Sequence, residues 1–206
     1  MSKFFVFVVE DIIETTDALR TETQDVSIRE KVKEKSEELE FKFDYEFSPQ
    51  KAREKILLSE EKPTVIVSDL YFEGPTNPID TFMKLVKKHI PNIYNNIIKT
   101  AEQCKSKVLI FSLYKGYSEF VQKKLVSEEE LNSIINYYRQ SLKINVKQDI
   151  KDYINNAEQL VTAFLESLGI KDEEIFSKNS KYRLNISSLL KYIENLQISY
   201  LKKQVY

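Results

Sequence analysis

Six consecutive apolar residues, 4–9 (FFVFVV), stop abruptly at the acidic pair Glu10-Asp11. An unbroken β-branched and aromatic run of this kind describes a strand buried on both faces. That is the signature of a parallel sheet covered by helices, not of a half-solvated antiparallel one. The run is too short, and too acidic at its end, for a secretory leader or a bilayer span, so a cytoplasmic location with no membrane contact is expected.

Other short runs repeat the theme. Residues 64–68 (TVIVS) and 108–113 (VLIFSL) read as short apolar strands, and 41–47 (FKFDYEF) alternates aromatic and charged residues as a half-buried or edge strand does. Residues 120–122 form a weaker fifth candidate. Helical patterns fall between them. Ser48-Pro49 is an N-cap followed by proline at the first helical position, opening a helix to about Leu58. Residues 78–104 are helical by pattern, with Pro91 as a break or kink. Ser127 and Glu130 form a capping box. Strands alternating with helices predict a mostly parallel α/β sheet.

Composition removes most catalytic chemistries. The 206 residues include 3 Gly, 1 Cys and 1 His. One cysteine forbids an intrachain disulfide, and three glycines cannot build a Gly-rich phosphate loop. His89 and Cys104 alone leave no zinc ligand set and no Ser–His or Cys–His machinery; His89 reads as a surface or packing residue and Cys104 as a partly buried small hydrophobe. Chemistry is left to carboxylates, hydroxyls and lysines. The net charge of −1, from 31 basic and 32 acidic residues, is no footprint for nucleic acid or an anionic membrane.

Past the capping box an apolar stripe runs Leu131, Ile135, Tyr138, Leu142, Val146, Ile150, Tyr153, Ala157, Leu160, Phe164, Leu168. Its period favours one helix over 128–168, which would be roughly 60 Å long at the helical rise and would need a partner for its far half. The alternative is a bend at 143–148, where Ile144 and Val146 are weaker helix formers. Gly169 sits where a helix-terminating glycine belongs. A last amphipathic helix spans about 186–203. The division expected is an α/β domain over 1–142 and a helical extension over 143–206, its first helix continuous with the domain's last, forming a homodimer.

In open parallel sheets ligands bind beyond the carboxyl ends of the strands. Glu10 and Asp11 follow the first strand, Asp69 the third, Ser112 ends the fourth, and Lys123-Lys124 follow the fifth candidate. Clustered carboxylates of this kind hold a hard divalent cation, Mg²⁺ above all, and a strand-end carboxylate beside it is placed for phosphoryl attack. These pieces (FFVFVVED, TVIVSDLYFEG, VLIFS and GYSEFVQKKLVSEEEL) resemble the response-regulator receiver family over residues 3–142. The resemblance implies a doubly wound, flavodoxin-like parallel five-stranded sheet, and Asp69 as phosphoacceptor, with Glu10, Asp11 and the Tyr71 backbone carbonyl binding Mg²⁺ beside it. It also implies Ser112 as switch hydroxyl, Phe120 as switch aromatic and Lys123 as phosphate-sensing lysine, with Lys115 and Lys124 as competing lysines.

Departures accompany the likeness. Ten residues separate Ser112 from Lys123, too few for a helix and a strand, so the fourth helix is expected to be missing or reduced. Lys124 stands where receivers place proline. Two-component signalling by a phosphoacceptor rather than an enzyme is therefore one reading, with a histidine kinase or phosphotransfer protein as partner. A degenerate pseudo-receiver acting as an interaction or dimerisation module is the second. A haloacid-dehalogenase-type phosphatase is the third, against which Tyr71 occupies the place of its second aspartate. A DNA partner is disfavoured: the seven basic and four acidic residues from Lys171 onward make only a mildly positive tail.

Overall fold

The computed structural model describes residues 3–10, 27–70, 72, 84–112, 127–177 and 183–204. Five parallel strands form its sheet: β1 (Phe5–Val9), β2 (Lys42–Glu46), β3 (Val65–Asp69), β4 (Lys107–Ser112) and β5 (Ile175–Ser177). Their order is β2-β1-β3-β4-β5, so the expected doubly wound, flavodoxin-like sheet is what the chain builds.

The apolar run divides its residues between two layers, as the two-residue period of a strand demands. Phe5, Phe7 and Val9 join Ile66, Leu70, Val108 and Ile110 in one core, while Phe4, Val6 and Val8 join Val65, Val67, Leu109 and Phe111 in the other. Helix α1 (Ile28–Leu39) covers the second layer through Ile28 and Val32. Helix α2 (Pro49–Leu58) and the continuous helix α3 cover the first. Helix α3 runs through Leu85–His89, Ile90–Ile93, Tyr94–Ile98 and Lys99–Cys104, and its two π turns flank Pro91.

The local signals read from the sequence hold. Ser48 Oγ accepts from the Lys51 amide at 3.3 Å ahead of Pro49. Ser127 Oγ accepts from the Glu130 amide at 3.2 Å while Glu130 accepts from the Ser127 amide at 2.7 Å, completing the capping box. Gly169, at φ +88°, ends a helix with the amides of Gly169 and Ile170 bonded to the carbonyls of Glu166 and Leu165. Elsewhere Glu40, Lys105 and Lys143 take the left-handed conformation at helix ends, which is how a chain with so little glycine stops its helices.

Three expectations are corrected. The single helix over 128–168 is two helices. Helix α4 (Glu128–Tyr137) continues as a π turn over Tyr138–Leu142 and stops at Lys143, where φ is 61° and the Ile144 amide bonds back to the Tyr138 carbonyl at 3.0 Å. A 3₁₀ turn (Gln148–Tyr153) then leads to α5 (Ala157–Ser167). The reason is the bend residues themselves: β-branched Ile144 and Val146 are both buried in the core as the chain reverses. Folding back sets Phe164 against Tyr138, ring centroids 4.8 Å apart, so the stripe expected to seek a second chain is consumed within this one.

The place beside β4 is taken by Ile175–Ser177, in register Ile110↔Ile175, Phe111↔Phe176 and Ser112↔Ser177. The candidate strand at 120–122 lies outside the described residues. A missing fourth helix was inferred from that candidate; with β5 at 175–177, the crossover from β4 carries α4 and α5. Residues 143–206 are accordingly no appendage. They contribute β5 to the same sheet, and the final helix α6 (Arg183–Gln204) covers its second layer through Leu189 and Ile193. An ion pair at 2.5 Å between Lys107 at the start of β4 and the buried Glu174 just before β5 ties the two strands together.

Candidate functional site

β1 lies between β2 and β3, so the strand order reverses between β1 and β3, where the crevice for a ligand forms in such sheets. Val9 pairs with Ser68 across that boundary, and the next residues on each strand are Glu10 and Asp69. The two carboxylates therefore stand side by side at the carboxyl ends of the two strands. Alternation sends both toward the layer of α1 and α6, since Val8 and Val67, two residues earlier, belong to that core. Both are buried, at 7% and 4% exposure.

Their environments differ. Asp69 Oδ1 accepts from the Leu70 amide at 2.7 Å, and Ser68 Oγ donates to the Asp69 carbonyl at 2.8 Å, fixing the strand end around the carboxyl group. Glu10 faces the start of α1. Its Oε2 accepts from Ser27 Oγ and the Arg29 amide, both at 3.0 Å, and its Oε1 from the Ile28 amide at 3.2 Å. The Glu10 amide donates to the Glu46 carbonyl at 3.2 Å, holding its backbone to β2. A carboxylate at a helix N-terminus meets orphan amides and the positive end of the helix dipole, which compensates the cost of burying it.

The rim beside Glu10 is aromatic and cationic. The Arg29 guanidinium lies over the rings of Tyr45 and Phe47, 5.0 and 5.5 Å from their centroids. Lys55 bonds Asp44 at 2.6 Å and the Tyr45 carbonyl at 3.0 Å on the other side of β2.

Of the residues proposed from the sequence, the structure thus brings Glu10 and Asp69 together. Ser112 ends β4, one strand farther along, where the register sets Asp69 opposite Phe111. Asp11, Tyr71, Phe120, Lys123, Lys115 and Lys124 lie outside the described residues. Hard oxygen donors at a buried strand end suit Mg²⁺, and Asp69 fits that requirement. Glu10 fits it less well, since both of its oxygens are engaged by α1. Among the described residues no three His, Cys, Asp or Glu side chains gather as a metal-binding group.

Sequence reasoning missed Ser27 and Arg29, the partners of Glu10. The signal was available: Ser27-Ile-Arg-Glu30 has the spacing of a helix N-terminus, and Ser27 Oγ does accept from the Glu30 amide at 3.4 Å.

No family model matches the chain, and no curated protein matches it. A solved structure of a fusion carrying a yeast trimeric coiled-coil segment is similar at 13% identity over 77% of this chain and 91% of that one, with a TM-score of 0.26. A similarity so low carries no argument about fold or function. No helix among the described residues is long and apolar enough to cross a membrane.

Proposed function

We propose that this chain is a receiver-type signalling module in which Asp69 accepts a phosphoryl group in the presence of Mg²⁺. The observation that carries the reading is a buried carboxylate, Asp69, at the carboxyl end of β3 on the β1/β3 switch point. With three glycines in the whole sequence a Gly-rich phosphate loop is not expected, which supports a cation and a phosphoryl acceptor over a nucleotide. The Leu70 amide orients the Asp69 carboxyl group through Oδ1. In the attack, an Asp69 oxygen forms the new bond to phosphorus as the donor's leaving atom, the imidazole nitrogen of a phosphohistidine or the acyl oxygen of acetyl phosphate, departs with its bonding electrons. Bound Mg²⁺ supplies charge neutralisation between carboxylate and phosphoryl oxygens. Asp69, Asp11 and the Tyr71 carbonyl would hold it; Ser112 and one of Lys115, Lys123 and Lys124 would bind the remaining phosphoryl oxygens. A histidine kinase or phosphotransfer protein is the donor this chemistry calls for.

The experiment is a titration of the full chain with Mg²⁺ and beryllofluoride, followed by amide NMR. Shifts centred on the ends of β1 and β3, abolished in Asp69→Asn, are expected. An unchanged spectrum would remove the phosphoacceptor role. The second reading, a phosphorylation-independent interaction module, is favoured by one observation: the Glu10 carboxylate is turned to α1 rather than left for a cation.

Self-association through the C-terminal helix belongs to either reading. Its surface would be the outer face of α6, where Ile198 and Leu201 remain 45% and 50% exposed. Light scattering of the intact chain should give a dimer, and Ile198→Lys with Leu201→Lys a monomer; an unchanged mass in the double variant would reject this surface.

A further inference from the structure

We infer that Glu10 is a positioning residue that clamps α1 onto the end of β1 beside Asp69, and that a cation at Asp69 is held without it. The inference rests on the phosphoacceptor reading only for the presence of a cation.

The geometry assigns the clamp. A helix leaves its first amides without intrahelical partners. In α1 the first two of them, Ile28 and Arg29, both donate to Glu10, one to each carboxylate oxygen. The third, Glu30, donates to Ser27 Oγ, and that hydroxyl in turn donates to Glu10. One side chain 17 residues upstream of the cap thus satisfies the whole first turn, directly or through the serine. Its own backbone is tied to β2 through the Glu46 carbonyl. Turning the carboxylate toward a cation would break this arrangement and leave the buried Ile28 amide without its acceptor.

The clamp matters because of what α1 touches. On its far side α1 meets α6: Lys35 pairs with Glu194 at 3.6 Å, and Gln197 Nε2 donates to the Leu39 carbonyl at 2.9 Å. Glu10 therefore joins the end of β1, the strand next to the one that carries Asp69, to the α1–α6 layer. It touches neither the incoming phosphoryl group nor the cation in this account.

Two measurements on the full chain decide the matter: Mg²⁺ affinity by calorimetry, and hydrogen exchange of single amides with and without Mg²⁺. Glu10→Gln should bind Mg²⁺ within about twofold of the parent chain, against the roughly tenfold or greater loss that removal of a metal-site group brings. Exchange at Ile28 and Arg29 should accelerate in the variant, while Val32 and the later amides of α1 keep their protection. Added Mg²⁺ should leave Ile28 and Arg29 protected in the parent chain. Tenfold weaker Mg²⁺ binding in the variant, or unaltered exchange at those two amides, would overturn the inference. If Glu10→Gln does not fold, Glu10→Asp keeps the charge but shortens the reach, and carries the same two readouts. A parent chain that binds no Mg²⁺ overturns the phosphoacceptor reading and the cation half of this one, while the exchange pattern still decides the clamp.

Discussion

Cutting the chain after residue 142 should abolish cooperative folding. Among its described residues, the segment removed contains fourteen buried apolar ones: Ile144, Val146, Ile150, Leu160, Val161, Ala163, Phe164, Leu165, Leu168, Ile170, Ile175, Phe176, Leu189 and Ile193. Burial of a Leu-, Ile- or Phe-sized side chain contributes about 1.5–3 kcal/mol, and a whole domain is stable by only about 5–15 kcal/mol. Losing all of these contacts exceeds the stability available. The cut also strips β5 from β4 and exposes the second layer, which Leu189 and Ile193 of α6 cover. Circular dichroism during heating should show no sigmoidal transition for residues 1–142. A cooperative melt of that fragment would mean that the α/β domain ends where the sequence pattern first places its boundary.

Phe164→Ala should be the most damaging single substitution in the same region. Phe164 is fully buried in α5 and packs on Tyr138 at the end of α4. Tyr138 is fixed in turn: its hydroxyl donates to the Val86 carbonyl of α3 at 2.7 Å, and burial holds its phenol well above the usual pKa, so it stays protonated as a donor. Phe→Ala in a packed core costs about 3–5 kcal/mol, which for a chain of this size is a fall in melting temperature of about 6–20 °C. Calorimetry checks it. A change below about 0.5 kcal/mol, the range of surface substitutions, would place Phe164 outside the core and reopen the question of a stripe facing a second chain.

These outcomes bear on what the sequence made legible. Features set by neighbours in the chain were read directly. The cap at Ser48, the box at Ser127 and Glu130, the terminating Gly169 and the four longer strands each follow from a few adjacent residues. What the sequence hid depends on packing at a distance. A stripe of period 3.7 is the same whether one helix is straight or two fold back, and only the β-branched Ile144 and Val146 marked the bend. β5 is three residues long, too short for any period, and is recognised by what it pairs with. The acidic pair at 10–11 announced a strand-end site, yet the role of Glu10 needed the start of α1, which the capping spacing at Ser27 could have located.

Intact-mass spectrometry after incubation with acetyl phosphate and Mg²⁺ tests whether Asp69 is an acceptor. The full chain should gain the mass of one phosphoryl group. The adduct should be lost on mild base treatment, as an acyl phosphate is, and be absent from Asp69→Asn and from samples held in EDTA. A chain whose mass does not change, or whose adduct survives the Asp69→Asn substitution, would contradict the account.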